Sequence, residues 1–399
     1  MEHTYRLYSS LTKLEQQKTW AEIDLNALRR NYRQLTDTVH AQNPSTRIIA
    51  VVKDDAYGHG APECVRTLLL QGCDFFAVSC IDEAVAVRAV CDREKKSADV
   101  LILGYTQPSL ASQLARFHII QTLLSEDYAR QLEEAAAAAN VYVRTHISID
   151  TGMNRIGFAA HSNEEMSDAA DAIARVHTFS HLHIEGMFTH FARADEAPVS
   201  EGSNRTDLQA ARYRRVCSLL DERGIQISFH HVCNSAASLL RPDDHFDGVR
   251  LGILLYGARP SSQIKLQPEP VMKLKTVISH VHKLLPGEAV SYGGTFTADS
   301  ERLLATLPIG YGDGFLRAYS GAVVSVETEE GPRPATVVGR ICMDQCMIDV
   351  TETGAQVGDV VTLFGNSPEQ LSALADRADT IDYECLCLVS SRVTRQYVD

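Results

Sequence analysis

The feature that most limits what this chain can fold into is a rhythm. Short apolar runs rich in β-branched residues recur at 47 to 53, 75 to 80, 99 to 104, 119 to 123, 142 to 150, 184 to 190, 228 to 233 and 248 to 255. Most of the stretches between them carry helical spacing; "DYARQLEEAAAAAN", for instance, is rich in strong helix formers and stops at Asn140. Continuous apolar runs, rather than strict alternation, suit strands covered on both faces. About eight such strands alternating with helices over roughly 210 residues predict a parallel α/β barrel of the (β/α)8 type. After about residue 258 the runs are broken by Gly and Pro, as in "AVVSVETEEGPRPATVVGRI", which predicts a mostly antiparallel β domain. Ahead of the barrel, "KTWAEIDLNALRRNYRQL" reads as a short strand, an N-cap at Asp24 and an amphipathic helix. The expected division is an N-terminal extension over residues 1–18, open to disorder, a barrel over 19–258, and a β domain over 259–399 with which residues 19–25 can pair.

Composition excludes several classes. With 45% hydrophobic and 22% charged residues the chain is ordinary globular protein. A formal net charge of -13 and the lack of a basic run argue against nucleic-acid binding, which needs clustered Lys and Arg to displace counterions. No apolar segment approaches the roughly 18–20 residues of a membrane span, and the first residues lack the apolar core of a secretory signal, so a cytoplasmic protein is expected. The ten cysteines sit mostly in hydrophobic runs with no CxxC pair, which reads as buried thiols in a reducing compartment, with no metal site.

Chemistry-bearing residues gather where strands should end. The first barrel strand runs into Lys53, followed by Asp54, Asp55, Tyr57, Gly58 and His59. A lysine at the rim of a core is suited to covalent carbonyl chemistry, although a strand-end lysine can equally be a solvated one. "DTGMNRIGF" places Arg155 after strand five, "EGMFTHFARADE" places His190 after strand six, and "HHVCNSAAS" places His231, Asn234 and Ser235 after strand seven. "GVRLGILLYG" adds Arg250, Gly252 and Ile253 at strand eight. Any one of these reads as a local hydrogen-bond partner or, for Gly252, as close packing. Together they surround the mouth of a barrel, where catalytic groups of this architecture sit. Ser235, the small Gly252 and an exposed amide suit a phosphate, and a lysine opposite it points to pyridoxal 5'-phosphate.

These motifs resemble the alanine racemases. "AVVKDDAYGHG", "DTGMNRIGF", "MFTHFARADE", "HHVCNSAAS", "VRLGILLYG", "VSYGGTFTA", "LPIGYGDGF", "GRICMDQ" and "TIDYE" follow that family's order from about residue 19 to 396. The resemblance implies a pyridoxal-phosphate barrel with a C-terminal β domain in a head-to-tail homodimer whose active sites are shared. It makes Lys53 the Schiff-base lysine and one acid-base group, and Tyr292, from the second subunit, the other. Tyr57, Ser235, Gly252, Ile253 and Tyr383 match phosphate-binding positions. Arg155, Met343 and Tyr311 match substrate-binding positions, Arg155 also lying near the cofactor phenolate. Arg250 matches the arginine on the pyridine nitrogen, His190 the link between Tyr292 and Arg250, and His231 the residue behind Arg250.

The implied activity is interconversion of L- and D-alanine for cell-wall synthesis. Alternatives are a racemase preferring serine or accepting both amino acids, a related decarboxylase, and a non-enzymatic cofactor-homeostasis protein. The decarboxylases place a carboxylate where this chain has Arg250, and the homeostasis proteins lack the β domain. Two departures from the family pattern stand out: Ser148 replaces a lysine that is carbamylated in many members, and Ser391 stands where tyrosine is common in "SYRVPR".

Overall fold

The eight apolar runs fold as eight parallel strands. The computed structural model describes residues 18–196 and 205–399, so all of the expected extension except Lys18 lies outside the described residues. In chain order the first strands are β1 (Thr19–Asp24), β2 (Arg47–Val51), β3 (Phe75–Val78), β4 (Asp99–Ile102), β5 (Ile120–Leu123), β6 (Val143–Asp150), β7 (Phe158–Ala159), β8 (Leu182–Phe188), β9 (Phe229–His231) and β10 (Gly248–Leu251). Strands β2 to β6 and β8 to β10 form the barrel in the order β10-β2-β3-β4-β5-β6-β8-β9, every pair parallel. Two backbone bonds, Asp247 N to His230 O at 3.0 Å and Arg250 N to Cys233 O at 3.0 Å, draw the remaining seam together. Helices alternate with the strands as the spacing predicts. The helix Glu126–Ala138 is capped by the Ser125 side chain, and Asn140 just beyond it takes a left-handed φ of 51°.

The barrel interior is not aliphatic throughout. At its N-terminal end Arg47, Asp99, Arg144 and Glu185 form an ionic floor, with Arg47–Asp99 at 3.1 Å, Arg144–Asp99 at 2.9 Å and Arg144–Glu185 at 2.7 Å. Burial pushes the Asp99 carboxyl up, but the Arg144 and Arg47 guanidinium groups outweigh it and hold the group below the usual carboxylate range. Above that floor His146, Phe75, Phe229 and His231 fill the core as a set of touching rings.

The later strands are β11 (Met272–Val277), β12 (His280–Leu284), β13 (Ala289–Val290), β14 (Phe296–Thr297), β15 (Arg302–Leu307), β16 (Val323–Thr328), β17 (Gly331–Val338), β18 (Cys346–Asp349), β19 (Val360–Phe364) and β20 (Thr394–Val398). All but β13 and β14, which pair only with each other, join β1 in a nine-stranded sheet, β12-β15-β18-β17-β16-β19-β11-β1-β20, antiparallel except where β1 meets β20. Pro332 and Pro334 are tolerated in β17 because β18 pairs only with Thr336, Val337 and Val338. The Asp24 carboxylate accepts the Ala27 N–H at 2.8 Å and caps the helix Leu25–His40. Packing divides the chain into two compact units, Leu28–Pro268 and the described residues up to Ala27 with Glu269–Asp399. All ten cysteines are free thiols. Among the described residues no helix is long and apolar enough to cross a membrane.

Candidate active site

Lys53 does not finish a strand, as its place in the apolar run suggested; β2 stops at Val51, and Lys53 opens a tight turn. Asp54, Asp55, Ala56 and Tyr57 all take left-handed φ values of 53°, 52°, 57° and 54°, followed by Gly58 at 79°. A left-handed residue other than glycine costs about 1–2 kcal/mol, so four in a row must be held by their surroundings. The holding bonds are visible. Glu83 accepts the Asp54 N–H at 2.6 Å with one carboxylate oxygen and the Ser79 N–H and hydroxyl, both at 2.8 Å, with the other. Asp55 accepts the Ala61 N–H at 2.7 Å, and His59 Nδ1 donates to the Ala56 and Tyr57 carbonyls at 2.9 and 3.0 Å. The outcome is a fixed direction for Tyr57, whose ring lies 5.0 Å from that of Tyr256.

Tyr57 meets two residues from the far end of the barrel sequence. Ser235 opens the helix Ser235–Leu240, which Asn234 caps by accepting the Ala237 N–H at 3.0 Å. The Ser235 hydroxyl accepts the Gly252 N–H at 2.8 Å. A Cβ at Gly252 would lie 2.5 Å from Tyr57 Oη and 3.7 Å from Ser235 Oγ, so only glycine leaves this corner open. Ile253 follows at the start of the turn Ile253–Tyr256. Two hydroxyls converging on a gap kept free of side chain form a cradle for a small polyoxygen group.

Arg250 is only 3% exposed, and the five hydrogen bonds of its guanidinium all go to neutral groups. It donates to the carbonyls of His231 (2.7 Å), Thr189 (2.8 Å) and Val232 (3.0 Å), to His231 Nδ1 (2.7 Å) and to His190 Nδ1 (3.3 Å). The Phe188 ring lies 5.3 Å from its guanidinium carbon. Burial lowers the Arg250 pKa to about 10, which still leaves a cation at neutral pH. Burial, reinforced by Arg250, Arg155 and Lys53, pushes the His190 imidazole well below its ordinary range. His231 is lowered likewise by burial and then Arg250, so both rings are neutral acceptors toward the guanidinium.

Arg155 is exposed on the loop after β6. That loop is wound around Asp150, whose carboxylate accepts the Gly152 and Asn154 N–H groups at 3.0 Å each. Ser148 is buried on β6 and brings no negative charge to the neighbourhood of Arg155. Thus Lys53, Tyr57, Arg155, His190, His231, Ser235, Arg250, Gly252 and Ile253 all belong to the barrel unit. Tyr292, Tyr311, Met343 and Tyr383 belong to the other. There Tyr311 N donates to Cys342 O at 3.1 Å and Gly312 N to Met343 O at 2.9 Å, while Ser291 donates to Arg340 O at 2.6 Å. The loop 340–343 therefore ties Tyr292, Tyr311 and Met343 into one patch, exposed by 70%, 43% and 54%. Tyr383 is half-buried on the helix Asp382–Cys387.

Two residues with evident roles escaped the sequence reading. Glu83 sits in a helix and His146 in a strand, where an acid and a polar ring look ordinary. The one available signal for His146 is Gly186, a glycine inside the strand opposite it.

Comparison with known proteins agrees with this geometry. The profile for the alanine racemase N-terminal domain matches residues 23–260, and that for the C-terminal domain matches residues 271–397. Alanine racemase 1 of Clostridium acetobutylicum is 40% identical over 387 residues, 95% of each chain. Alanine racemase of Listeria monocytogenes is 37% identical over 388 residues, covering 95% of this chain and 98% of its own. The solved alanine racemase of Clostridium difficile 630 superposes with a TM-score of 0.86 at 36% identity, over 96% of this chain and 97% of that one. With both domains matched end to end and in order, the chain belongs to the alanine racemase family.

Proposed function

We propose that this chain is a pyridoxal 5'-phosphate-dependent alanine racemase, acting as a cytoplasmic homodimer that supplies D-alanine for cell-wall synthesis. The observation that carries the reading is the cradle of Tyr57, Ser235 and Gly252, built on the same turn that begins with Lys53. The residues fit the cofactor: the two hydroxyls and the missing Cβ suit its phosphate, Lys53 offers the amine for the covalent link, and Arg250 suits its ring nitrogen. Tyr383 would join the phosphate contacts. Bound there, pyridoxal phosphate supplies the electron sink that makes the α-hydrogen of an amino acid removable.

The chain's own residues then divide the work. Racemisation takes a proton from one face of the α-carbon and returns one to the other, which calls for two groups. Lys53 serves one face and Tyr292 of the partner subunit the other. The 70% exposure of Tyr292, beside exposed Tyr311 and Met343, supports a role against a second copy of the chain. Arg250 donates hydrogen bonds without surrendering a proton, which keeps charge delocalisation weak and favours return of the proton to the α-carbon. Neutral His190 links Arg250 to Tyr292, and Arg155 with the Met343 backbone holds the substrate carboxylate. Related enzymes solved with cycloserine and with L-Ala-P support a small amino-acid-like ligand.

The test is loss of optical rotation by L-alanine and by L-serine, each with added cofactor. Faster turnover of alanine is expected. Preference for serine would replace the substrate, and no racemisation of either would overturn the reading.

A further inference from the structure

His146 lies on β6 inside the barrel, outside the set of residues assigned to the reaction. Its Nδ1 is 3.0 Å from Nε2 of His231, with the two ring centroids 5.2 Å apart. The direction of this bond follows from its far end. A guanidinium only donates, so the 2.7 Å contact from Arg250 makes His231 Nδ1 an acceptor. The hydrogen of neutral His231 is therefore on Nε2, and His146 Nδ1 must accept it. The other tautomer of His231 would set N–H against N–H at Arg250.

The His146 ring cannot swing away. Phe75 meets it edge-on at 6.1 Å and 82°, and Phe229 lies 6.0 Å away on another side. Gly186 pairs with His146 across β8, at a register shift beside Thr145, and a Cβ there would come within 2.6 Å of the imidazole. Below it stands the ionic floor of Arg47, Asp99, Arg144 and Glu185. Burial drives the His146 pKa down to about 3, so the ring stays neutral and keeps a lone pair for His231.

We propose that His146 is a positioning residue for Arg250: as the fixed acceptor for His231 Nε2–H it holds the plane of His231 in the tautomer that Arg250 requires, and through that plane the direction of the guanidinium. The importance of that direction rests on the reading of Arg250 as the group that meets the cofactor ring nitrogen. The same chain explains how a buried cation is held without a carboxylate, since a carboxylate would neutralise it.

The test combines imidazole ¹⁵N NMR of the holoenzyme with two variants. His146→Asn keeps an acceptor near the place of Nδ1, and His146→Leu removes it. In the wild type and in His146→Asn, His231 should carry its hydrogen on Nε2 alone. In His146→Leu the Nε2 signal of His231 should lose the shift that the hydrogen bond to His146 gives it, kcat for alanine should fall about tenfold with KM little changed, and the absorbance band of the bound cofactor should shift. His146→Asn should recover most of kcat and the original band. A wild-type His231 with hydrogen on Nδ1 overturns the proposal whatever the variants do, including a Leu variant that fails to fold. A wild-type Nε2 shift together with wild-type kcat in His146→Leu would overturn it too. If the wild type racemises no amino acid, the functional reading falls, while the tautomer measurement still judges this proposal.

Discussion

Gly252 acts by having no side chain. Gly252→Ala would place a methyl 2.5 Å from Tyr57 Oη, and Tyr57, 6% exposed and packed on Tyr256, has little room to retreat. Cofactor affinity should fall by roughly tenfold or more, as expected when a close contact displaces a hydrogen-bonded phosphate, and the cofactor-free protein should melt below the wild-type temperature because the overpacked corner is strained with or without a ligand. Titrating the visible absorbance with pyridoxal phosphate measures the first and calorimetry the second. Lys53→Ala should remove the visible band altogether, and borohydride reduction of the wild type followed by peptide mapping should place the label on Lys53. Such residues were legible because each stands at the C-terminal end of a strand or just past it, where neither core packing nor solvent explains Arg250, His231 or Ser235 together. His146 was not legible, because its role depends on a ring from β9, two strands away in the barrel, a relation no local pattern contains.

At the scale of elements, the barrel strands were readable because continuous apolar runs have few other uses, whereas the left-handed turn after Val51 was not. "KDDAY" has no glycine until Gly58, and nothing in its composition asks for four residues of positive φ. The turn exists because Glu83, on a later helix, holds it. Glu83→Ala should therefore destabilise the protein by about 1–2 kcal/mol in urea unfolding, three accepted hydrogen bonds at a partly exposed site being lost against strain partly relieved. The ionic floor carries a pH signature. Asp99 has a folded pKa below its unfolded one, so its contribution is complete above about pH 4 and is lost as pH falls through the lower folded value. Arg144→Met should cost about 1–2 kcal/mol at neutral pH, less than for a fully buried pair because these side chains are 20–34% exposed, and should flatten the loss of stability between pH 4 and pH 3. Urea unfolding at pH 7, 4 and 3 measures both effects.

For the whole molecule, the proposed two-chain site makes a sharp expectation. Lys53→Ala and Tyr292→Phe subunits, each inactive alone, should recover activity on mixing, since a heterodimer contains one site with both native groups. Proven subunit exchange without recovery would place both groups in one chain's site. A separate consequence follows from β1, which lies between β11 and β20 and so pairs with residues made long after it. During synthesis at ~5–20 residues per second, β1 waits on the order of tens of seconds for its last neighbour. Its alternating buried face, Thr19, Ala21 and Ile23, has no sheet to join until β11 is made and no complete one until β20 follows. The first described strand is thus the last to be enclosed, and the barrel is translated as an insertion between the halves of another unit. Trp20, the only tryptophan, sits on that strand. A chain stopped after Val393 should therefore show red-shifted tryptophan emission and rapid proteolysis near Trp20, so that damage at one end of the polypeptide is read out at the other.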